Sequence, residues 1–199
     1  MAPSNALSFA TSPSIICRTN LINPAPTASE PRPAIDPAPP ELVALACRAA
    51  GAHALWPELV CAIVEQESAW NPWAVRYEPA FYDKYVATRL TRRPPDSHAS
   101  ALGVLIGPEI PDDPTESHAR AFSWGLMQVM GQVAREHGFA GASLASLCDP
   151  AIGLEIGCRV FTAKVAAAEG NVTRALLLWN GAGNRDYPSA VLARAPHYA

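Results

Sequence analysis

Apolar residues recur at helical spacing through most of the chain after residue 40, whereas no segment shows the strict alternation of a half-buried strand. The pattern predicts helices over Glu41–Ala50, Pro57–Ala69, Glu78–Leu90, residues 116–122 and residues 125–137, then a long helix from Pro150 to before Gly170, a helix that follows Asn171, and a last amphipathic helix. The predicted fold class is therefore all-α, with a small β-hairpin allowed only in the insertion described below.

Residues at the predicted helix boundaries support this division. Pro57 suits the first position of a helix, because its missing N–H would have no partner there, and Asn71-Pro72 ends that helix. Asp149 and Asn171 are predicted N-caps, since their side chains can accept hydrogen bonds from the first free backbone N–H groups. Residues 175–179 are apolar on all sides, which predicts a buried helix.

The chain divides into an N-terminal arm over residues 1–40 and one domain over residues 41–199. The arm holds nine of the 20 prolines and no glycine, a composition that does not build a core, so it is predicted to be disordered. Its first residues, Met1–Thr11, lack the basic and apolar regions of a signal peptide. The domain carries an insertion at about residues 77–122, in which the proline-rich residues 91–114 predict a long loop.

Charge and hydropathy argue against two classes of partner. Only two of the 15 basic residues are lysines and the net charge is −3, so no nucleic-acid-binding surface is predicted. No apolar run approaches the roughly 18 residues of a membrane-spanning helix, so the chain is not predicted to span a membrane.

Neither the cysteines nor the histidines predict a metal or a cofactor. The sequence has no Cys-x-x-Cys pair, and its five histidines include no pair at the three- or four-residue spacing of a helical zinc site. By spacing, Cys47 with Cys61 and Cys148 with Cys158 could each form a disulfide, but small buried thiols in a helical core are the favoured interpretation.

One glutamate lies on an apolar helix face. On the helix that starts at Pro57, Leu59, Ile63 and Glu67 follow at intervals of four, so Glu67 ends the core-facing stripe, whereas Glu65 falls on a side predicted to meet solvent. Burial disfavours the charged form of a carboxylate and raises its pKa, which a general acid near neutral pH requires. The structural alternative is a half-buried glutamate that pairs with an arginine or caps a neighbouring helix.

Two later segments place polar side chains beside glycine. Within residues 123–130, Gly125 allows close backbone approach, and the Gln128 amide offers donors and acceptors that suit sugar hydroxyls and N-acetyl groups. The alternative there is a helix start with two core methionines. Within residues 179–183, Asn180 follows an aromatic residue at a helix end and would reach a cleft wall; the alternative is a capping turn.

Together and in this order, these segments resemble the lytic transglycosylases of the SLT-domain family, lysozyme-like enzymes that cleave the glycan strands of peptidoglycan. The matching motifs are Glu67-Ser68, Asn71-Pro72, Gly125-Leu126-Met127-Gln128, Asp149-Pro150 and Trp179-Asn180-Gly181-Ala182-Gly183. The resemblance covers roughly residues 57–198, and the amino-acid sequence of residues 77–82 resembles the phage or prophage branch of the family.

The resemblance implies roles for individual residues. Glu67 matches the single catalytic acid, and the implied substrate-binding residues are Ser68, Ser123, Gln128, Met130, Trp179 and Asn180. Two positions depart from the family pattern. Trp179 stands where the family has a tyrosine whose hydroxyl lies near the acid, so an indole N–H would act instead, and Arg76 stands where many members have a serine.

The implied activity is cleavage of the β-1,4 bond between N-acetylmuramic acid and N-acetylglucosamine with formation of a 1,6-anhydro end. The implied partner is peptidoglycan, and the implied site of action is the cell envelope or periplasm. Apart from the resemblance, two interpretations of the proline-rich arm stay open: it tethers the domain to a larger assembly, or it is not translated in the cell. One alternative is a hydrolytic muramidase on the same fold, in which Glu78, Asp83 or Glu116 would position a water molecule. Another is a non-catalytic glycan-binding or virion structural module.

Overall fold

The computed structural model describes residues 38–87 and 113–199, which belong to one compact unit, Asp36–Ala199. Most of the N-terminal arm and most of the proline-rich stretch of the insertion lie outside the described residues, as does Cys17. The predicted disorder of the arm and the predicted long loop therefore stay predictions.

The domain begins with two packed helices, α1 (Pro40–Ala52) and α2 (Pro57–Ser68). Each has proline in its first turn, as the sequence predicts for Pro57. The helix α2 ends at Ser68, one residue before the predicted end at Ala69. It ends there because Ala69 adopts a left-handed conformation, with φ of +48°.

A small antiparallel sheet follows, with strands β1 (Val75–Tyr77), β2 (Phe122–Trp124) and β3 (Val129–Met130) in that spatial order. Ser123 is paired with Arg76 on one side and with Met130 on the other. The fold is thus helix-dominated, as predicted, but its hairpin is β2–β3 at the end of the insertion, and β1 lies where the insertion begins.

Two helix predictions around this sheet are wrong at their boundaries. The segment predicted as helix over 116–122 is α4 (Pro114–Ala119), and the segment predicted over 125–137 contains β3 and the short helix α5 (Gly131–Glu136). The reason is local: Gly125 and Gln128 have φ of +67° and +48°, and two left-handed residues inside four prevent a continuous helix.

The insertion opens with a helical segment, as predicted, which starts at Pro79, one residue after the predicted start, and continues to the end of the described residues at Ala87. It consists of a single turn, α3 (Pro79–Phe81), followed directly by a π-helix at Tyr82–Ala87. The rest of the predicted helix, residues 88–90, lies outside the described residues.

The C-terminal half is built around the long helix α6 (Pro150–Ala167), which follows a 3-10 turn at Leu144–Cys148. Asp149 caps α6 by accepting hydrogen bonds from two backbone N–H groups, at 2.9 and 3.1 Å, and Asn171 caps α7 (Val172–Trp179) by accepting one at 2.9 Å. Both caps were predicted. The chain ends with α8 (Tyr187–Leu192) and a 3-10 turn at Ala195–Tyr198, both packed on α2.

The core lies where α1, α2, α6 and α7 meet. Ile63, Leu154, Phe161 and Leu176 are each fully buried there. The prediction that residues 175–179 are buried on all sides is wrong at Leu178, which is 37% exposed. It is exposed because it faces the groove described below.

The four described cysteines are free thiols, as favoured on sequence grounds. Cys61, Cys148 and Cys158 are buried, and Cys47 is half-buried and hydrogen-bonded to the Cys61 thiol. Burial raises the pKa of Cys61 to about 12, so this thiol stays protonated. Among the described helices, none has both the length and the hydropathy to cross a membrane.

Candidate active site

A groove of about 540 Å³ separates the small sheet from the helices α6 and α7. The sheet-side wall comes from the three strands and the start of the insertion, and the helix-side wall from α6 and the end of α7. The groove is lined by Glu67, by Arg76, Glu78, Phe81, Tyr85, Ser123, Gln128, Val129, Met130 and Val133, and by Val160, Lys164, Leu178, Trp179, Asn180 and Gly181.

Glu67 reaches this groove from the last turn of α2. The chain leaves that helix through two successive left-handed residues, Ala69 and Trp70, with φ of +48° and +65°. Such a conformation is strained for a bulky residue and persists only where tertiary contacts hold it. Trp70 is held because it is 4% exposed and its indole N–H donates to the Tyr198 hydroxyl at 2.9 Å. The strained exit turns the chain sharply next to the carboxyl group.

Two donors on the helix side converge on one oxygen of Glu67. The Trp179 indole N–H donates to Oε1 at 3.0 Å, and the Tyr187 hydroxyl donates to the same oxygen at 2.6 Å. Trp179 is itself positioned by edge-to-face packing on Phe161, with ring centroids 5.7 Å apart. The Trp179 indole N–H thus donates to the acid in place of the tyrosine hydroxyl that the family has at this position, as expected. A tyrosine hydroxyl also reaches Glu67, but it comes from Tyr187.

Burial raises the pKa of Glu67 above its ordinary value. The hydrogen bonds from Tyr187 and Trp179, and the charge of Arg76, act in the opposite direction but do not cancel the effect of burial. The pKa of Tyr187 is also raised, chiefly by burial and then by the neighbouring Glu67. Tyr187 therefore remains a neutral phenol that can donate its proton in a hydrogen bond.

The sheet-side wall is held by the Gln128 side chain. Its Nε2 amino group donates to the Ala74 and Gly125 carbonyl oxygens, both at 2.9 Å, and its Oε1 accepts from the Ser123 hydroxyl at 2.9 Å. Both amide N–H groups are therefore used within the protein. Gln128 lines the groove, and its side chain ties together the residue before β1, the strand β2 and the turn between β2 and β3; its contact with a sugar stays a prediction.

Gly125 is required in that turn. Its φ of +67° is unfavourable for other residues, and a Cβ at this position would overlap the carbonyl oxygen of Leu147. The close backbone approach expected from the sequence therefore occurs, against the 3-10 turn that precedes α6.

The remaining predicted site residues divide into two groups. Met130 and Asn180 line the groove, and the Asn180 side chain donates to the Asn184 carbonyl oxygen at 3.4 Å. Ser68 does not line the groove, since its hydroxyl donates to the Val64 carbonyl oxygen one turn back in α2, at 3.1 Å.

The three carboxylates weighed as a second catalytic group have different positions. Glu78 lines the groove and forms an ion pair with Arg76, at 2.5 Å. Glu116 is outside the groove lining and bridges Arg120 and Arg135, at 3.0 and 2.9 Å. Asp83 is exposed and also outside the lining.

The expectation that Glu65 meets solvent is wrong. The C-terminal 3-10 turn covers this face of α2, so the Glu65 side chain is only 12% exposed. It accepts a hydrogen bond from Tyr198 at 2.7 Å and lies 3.4 Å from the Arg194 guanidinium. Glu65 thus anchors the end of the chain, and Glu67 alone on this helix faces the groove.

Several residues of the site were missed by sequence reasoning. Tyr187 lies eight residues after Trp179, where only an amphipathic helix was predicted, and no local pattern indicates that its hydroxyl reaches Glu67. Phe81 and Tyr85 lie in the predicted helix Glu78–Leu90 but were given no role, although their four-residue spacing could have indicated a shared face. Lys164 gave no signal in the sequence.

Among the described residues, no group of three histidine, cysteine or acidic side chains could hold a metal ion.

A helix-dominated fold that presents a desolvated carboxylic acid in a groove beside a small sheet defines a lysozyme-like protein. The chain belongs to the transglycosylase SLT domain family, whose family model matches residues 45–188. Proteins of this family carry out lytic-transglycosylase-type chemistry on peptidoglycan in the cell envelope. No curated protein and no solved structure matches the chain.

Proposed function

We propose that this protein is a lytic transglycosylase that cleaves the β-1,4 bond between N-acetylmuramic acid and N-acetylglucosamine, with Glu67 as both acid and base. The observation that carries the proposal is the pair of donors on Glu67. Because Trp179 and Tyr187 both donate to Oε1, that oxygen is occupied as an acceptor. The acidic proton therefore resides on Oε2, which leaves a single defined oxygen to donate it.

The raised pKa of Glu67 supports the first step. Because its pKa is raised, Glu67 keeps its proton to higher pH than an exposed glutamate does, and the protonated carboxyl group can transfer that proton to the glycosidic oxygen as the bond between that oxygen and C1 of the muramyl residue breaks. The substrate's own N-acetyl carbonyl would then stabilise the positive charge on the sugar. Trp179 and Tyr187 would stabilise the carboxylate that remains, since hydrogen bonds to a charged acceptor are the stronger kind.

The second step uses the same residue in reverse. The Glu67 carboxylate takes the proton from the C6 hydroxyl of the muramyl residue, and that oxygen bonds to C1 to close a 1,6-anhydro ring. No water is consumed, and Glu67 returns to its protonated form. A pKa near the working pH suits a residue that must both donate and accept.

The test is digestion of purified peptidoglycan by the wild type and by Glu67→Gln, with the products separated and weighed by mass spectrometry. Glutamine keeps the Oε1 acceptor for Trp179 and Tyr187 but has no acidic proton, so we expect a correctly folded variant with at least a 10²–10⁴-fold lower rate, about the usual loss for an acid–base catalyst. Glu65→Gln is the matched control, because it removes a carboxyl group from the same helix, hydrogen-bonded to a tyrosine, but outside the groove. Near-normal turnover by Glu67→Gln would overturn the assignment.

The second candidate is a hydrolytic muramidase, favoured by the presence of Glu78 in the groove with Glu67. The product mass separates the two, because an anhydro end is lighter than a reducing end by one water molecule. If Glu78 positions a water molecule, Glu78→Gln should lose activity as Glu67→Gln does. Its ion pair with Arg76 favours the transglycosylase, since that contact already uses a Glu78 carboxylate oxygen. Binding of peptidoglycan without any cleavage by the wild type would instead indicate a non-catalytic module.

We also propose that residues 1–40 tether the domain to a larger assembly, because their proline-rich composition is that of a spacer. A variant that starts at residue 38, which leaves α1 and its N-cap Pro39 intact, should keep its activity on isolated peptidoglycan. Loss of activity on that substrate would mean that the arm contributes to the domain itself.

A further inference from the structure

We propose that Phe81 and Tyr85 form a stacking platform that binds a pyranose ring of the glycan strand, a sugar-binding contact separate from the groups around Glu67. The inference rests on the proposed function, because it names how the same groove holds its substrate. Both residues line the groove, on the sheet-side wall. Tyr85 belongs to none of the motifs by which the chain resembles its family, and Phe81 falls only in residues 77–82, which resemble one branch of it.

The two rings form one surface. Phe81 and Tyr85 are four residues apart, so they share a face of the helical segment, and their ring centroids are 4.7 Å apart at an interplanar angle of 43°. Tyr85 is 40% exposed, so part of its ring is accessible to a ligand. The Lys84 ammonium group also lies 4.9 Å from the centroid of the Tyr85 ring.

The adjacent face of the same segment anchors the platform. Tyr82 stacks on His118 of α4, with ring centroids 4.8 Å apart, and Val86 is fully buried. The segment is a π-helix at this point, a rare form of backbone that occurs often at functional sites. Its anchoring residues hold Phe81 and Tyr85 in the groove before any ligand binds, which lowers the entropy lost on binding.

The chemistry of the groove fits a sugar ring better than a wholly apolar ligand. One face of a pyranose carries C–H groups whose partial positive charge matches the negative face of an aromatic ring, while its hydroxyl and N-acetyl groups need polar partners. Phe81 and Tyr85 supply the aromatic surface. Asn180 and Lys164, on the other wall of the groove, supply polar groups.

Binding is tested without cleavage by working in the Glu67→Gln variant. Its affinity for N-acetylglucosamine oligomers of two to six sugars is measured by calorimetry, alone and combined with Tyr85→Ala, Tyr85→Phe or Trp73→Ala. We expect Tyr85→Ala to weaken binding of the longer oligomers about tenfold, and Tyr85→Phe to leave it nearly unchanged because the ring remains. Trp73→Ala is the control, because Trp73 is 74% exposed but does not line the groove.

The outcomes separate this proposal from the proposed function. Equal affinity with and without the Tyr85 ring would overturn the platform and leave the function intact, as would an equal loss in the Trp73→Ala control. A Glu67→Gln protein that binds no oligomer of any length would count against glycan binding as a whole. The same Tyr85→Ala change in the wild-type background should raise KM for peptidoglycan strands and change kcat little, because the hydrogen bonds to Glu67 come from Trp179 and Tyr187.

Discussion

The two walls of the groove use their polar side chains in opposite ways. On the helix side, Trp179 and Tyr187 direct their donors at the Glu67 carboxyl group. On the sheet side, the Ser123 hydroxyl and the Gln128 amide are hydrogen-bonded to each other and to the backbone. The helix wall therefore sets the chemistry of the acid, whereas the sheet wall fixes the shape of the surface opposite it. Substitutions on the sheet wall should accordingly change the free energy of unfolding, whereas substitutions on the helix wall should change the reaction rate and its pH dependence.

The largest effect is expected at the turn of the sheet wall. Gly125→Ala places a Cβ against the Leu147 carbonyl oxygen and forces alanine into a left-handed conformation, which together should lower the free energy of unfolding by about 2–5 kcal/mol. Urea denaturation measures this. Gly170→Ala is the matched control, because Gly170 also has a positive φ, of +80°, but has open space around its Cβ position. Equal losses in the two variants would mean that the contact with Leu147 contributes nothing.

The helix wall should respond in rate and pH dependence instead. Tyr187→Phe removes one hydrogen bond to the Glu67 carboxylate, worth about 1.5–3 kcal/mol, so kcat/KM should fall about tenfold to a hundredfold. That hydrogen bond lowers the pKa of Glu67, so its loss raises this pKa further. Because the acid must be protonated to act, the decline in rate at alkaline pH should move to higher pH.

The control for this prediction is Tyr198→Phe. It removes the same hydroxyl from a tyrosine that donates to Glu65 and accepts from the Trp70 indole, outside the groove, so the control also reports any effect of that contact on the exit of α2. Its alkaline decline should coincide with that of the wild type. A shift of the same size in both variants would show that the effect comes from general loosening of the C-terminal segment.

The difference between the walls also decides how much the sequence could predict. The helix wall rests on elements with strong local signals: the proline at the start of α2, the Asp149 cap of α6 and the Asn171 cap of α7. The apolar stripe that ends at Glu67 correctly placed this carboxyl group at the edge of the core. The positions of Trp179 and Asn180 at the end of α7 followed from the same reasoning.

The sheet wall was harder to predict because its strands are two or three residues long, too short for a visible alternation. Residues 125–137 have helical spacing, and only the left-handed φ at Gly125 and Gln128 divides them. Tyr187 was missed for another reason: its contact with Glu67 spans 120 residues, so no local pattern contains it. Glu65 was misplaced because a turn at the far end of the chain covers its face of α2.

The smallest effect is expected where the sheet wall influences the acid through charge alone. Arg76 lowers the pKa of Glu67, but its side chain is 72% exposed and paired with Glu78, so the influence is weak. Arg76→Ser should therefore move the alkaline decline of kcat/KM to higher pH by less than Tyr187→Phe does, and Arg76→Lys, which keeps the charge, should move it least. Since added salt screens an exposed charge, the shift should shrink between about 0.01 M and 0.5 M salt. The shift caused by Tyr187→Phe should persist, because that hydrogen bond is short and partly buried. If the shift caused by Arg76→Ser is as independent of salt as the shift caused by Tyr187→Phe, then Arg76 acts on Glu67 through a direct contact. In that case residues of both walls would set the pKa of Glu67.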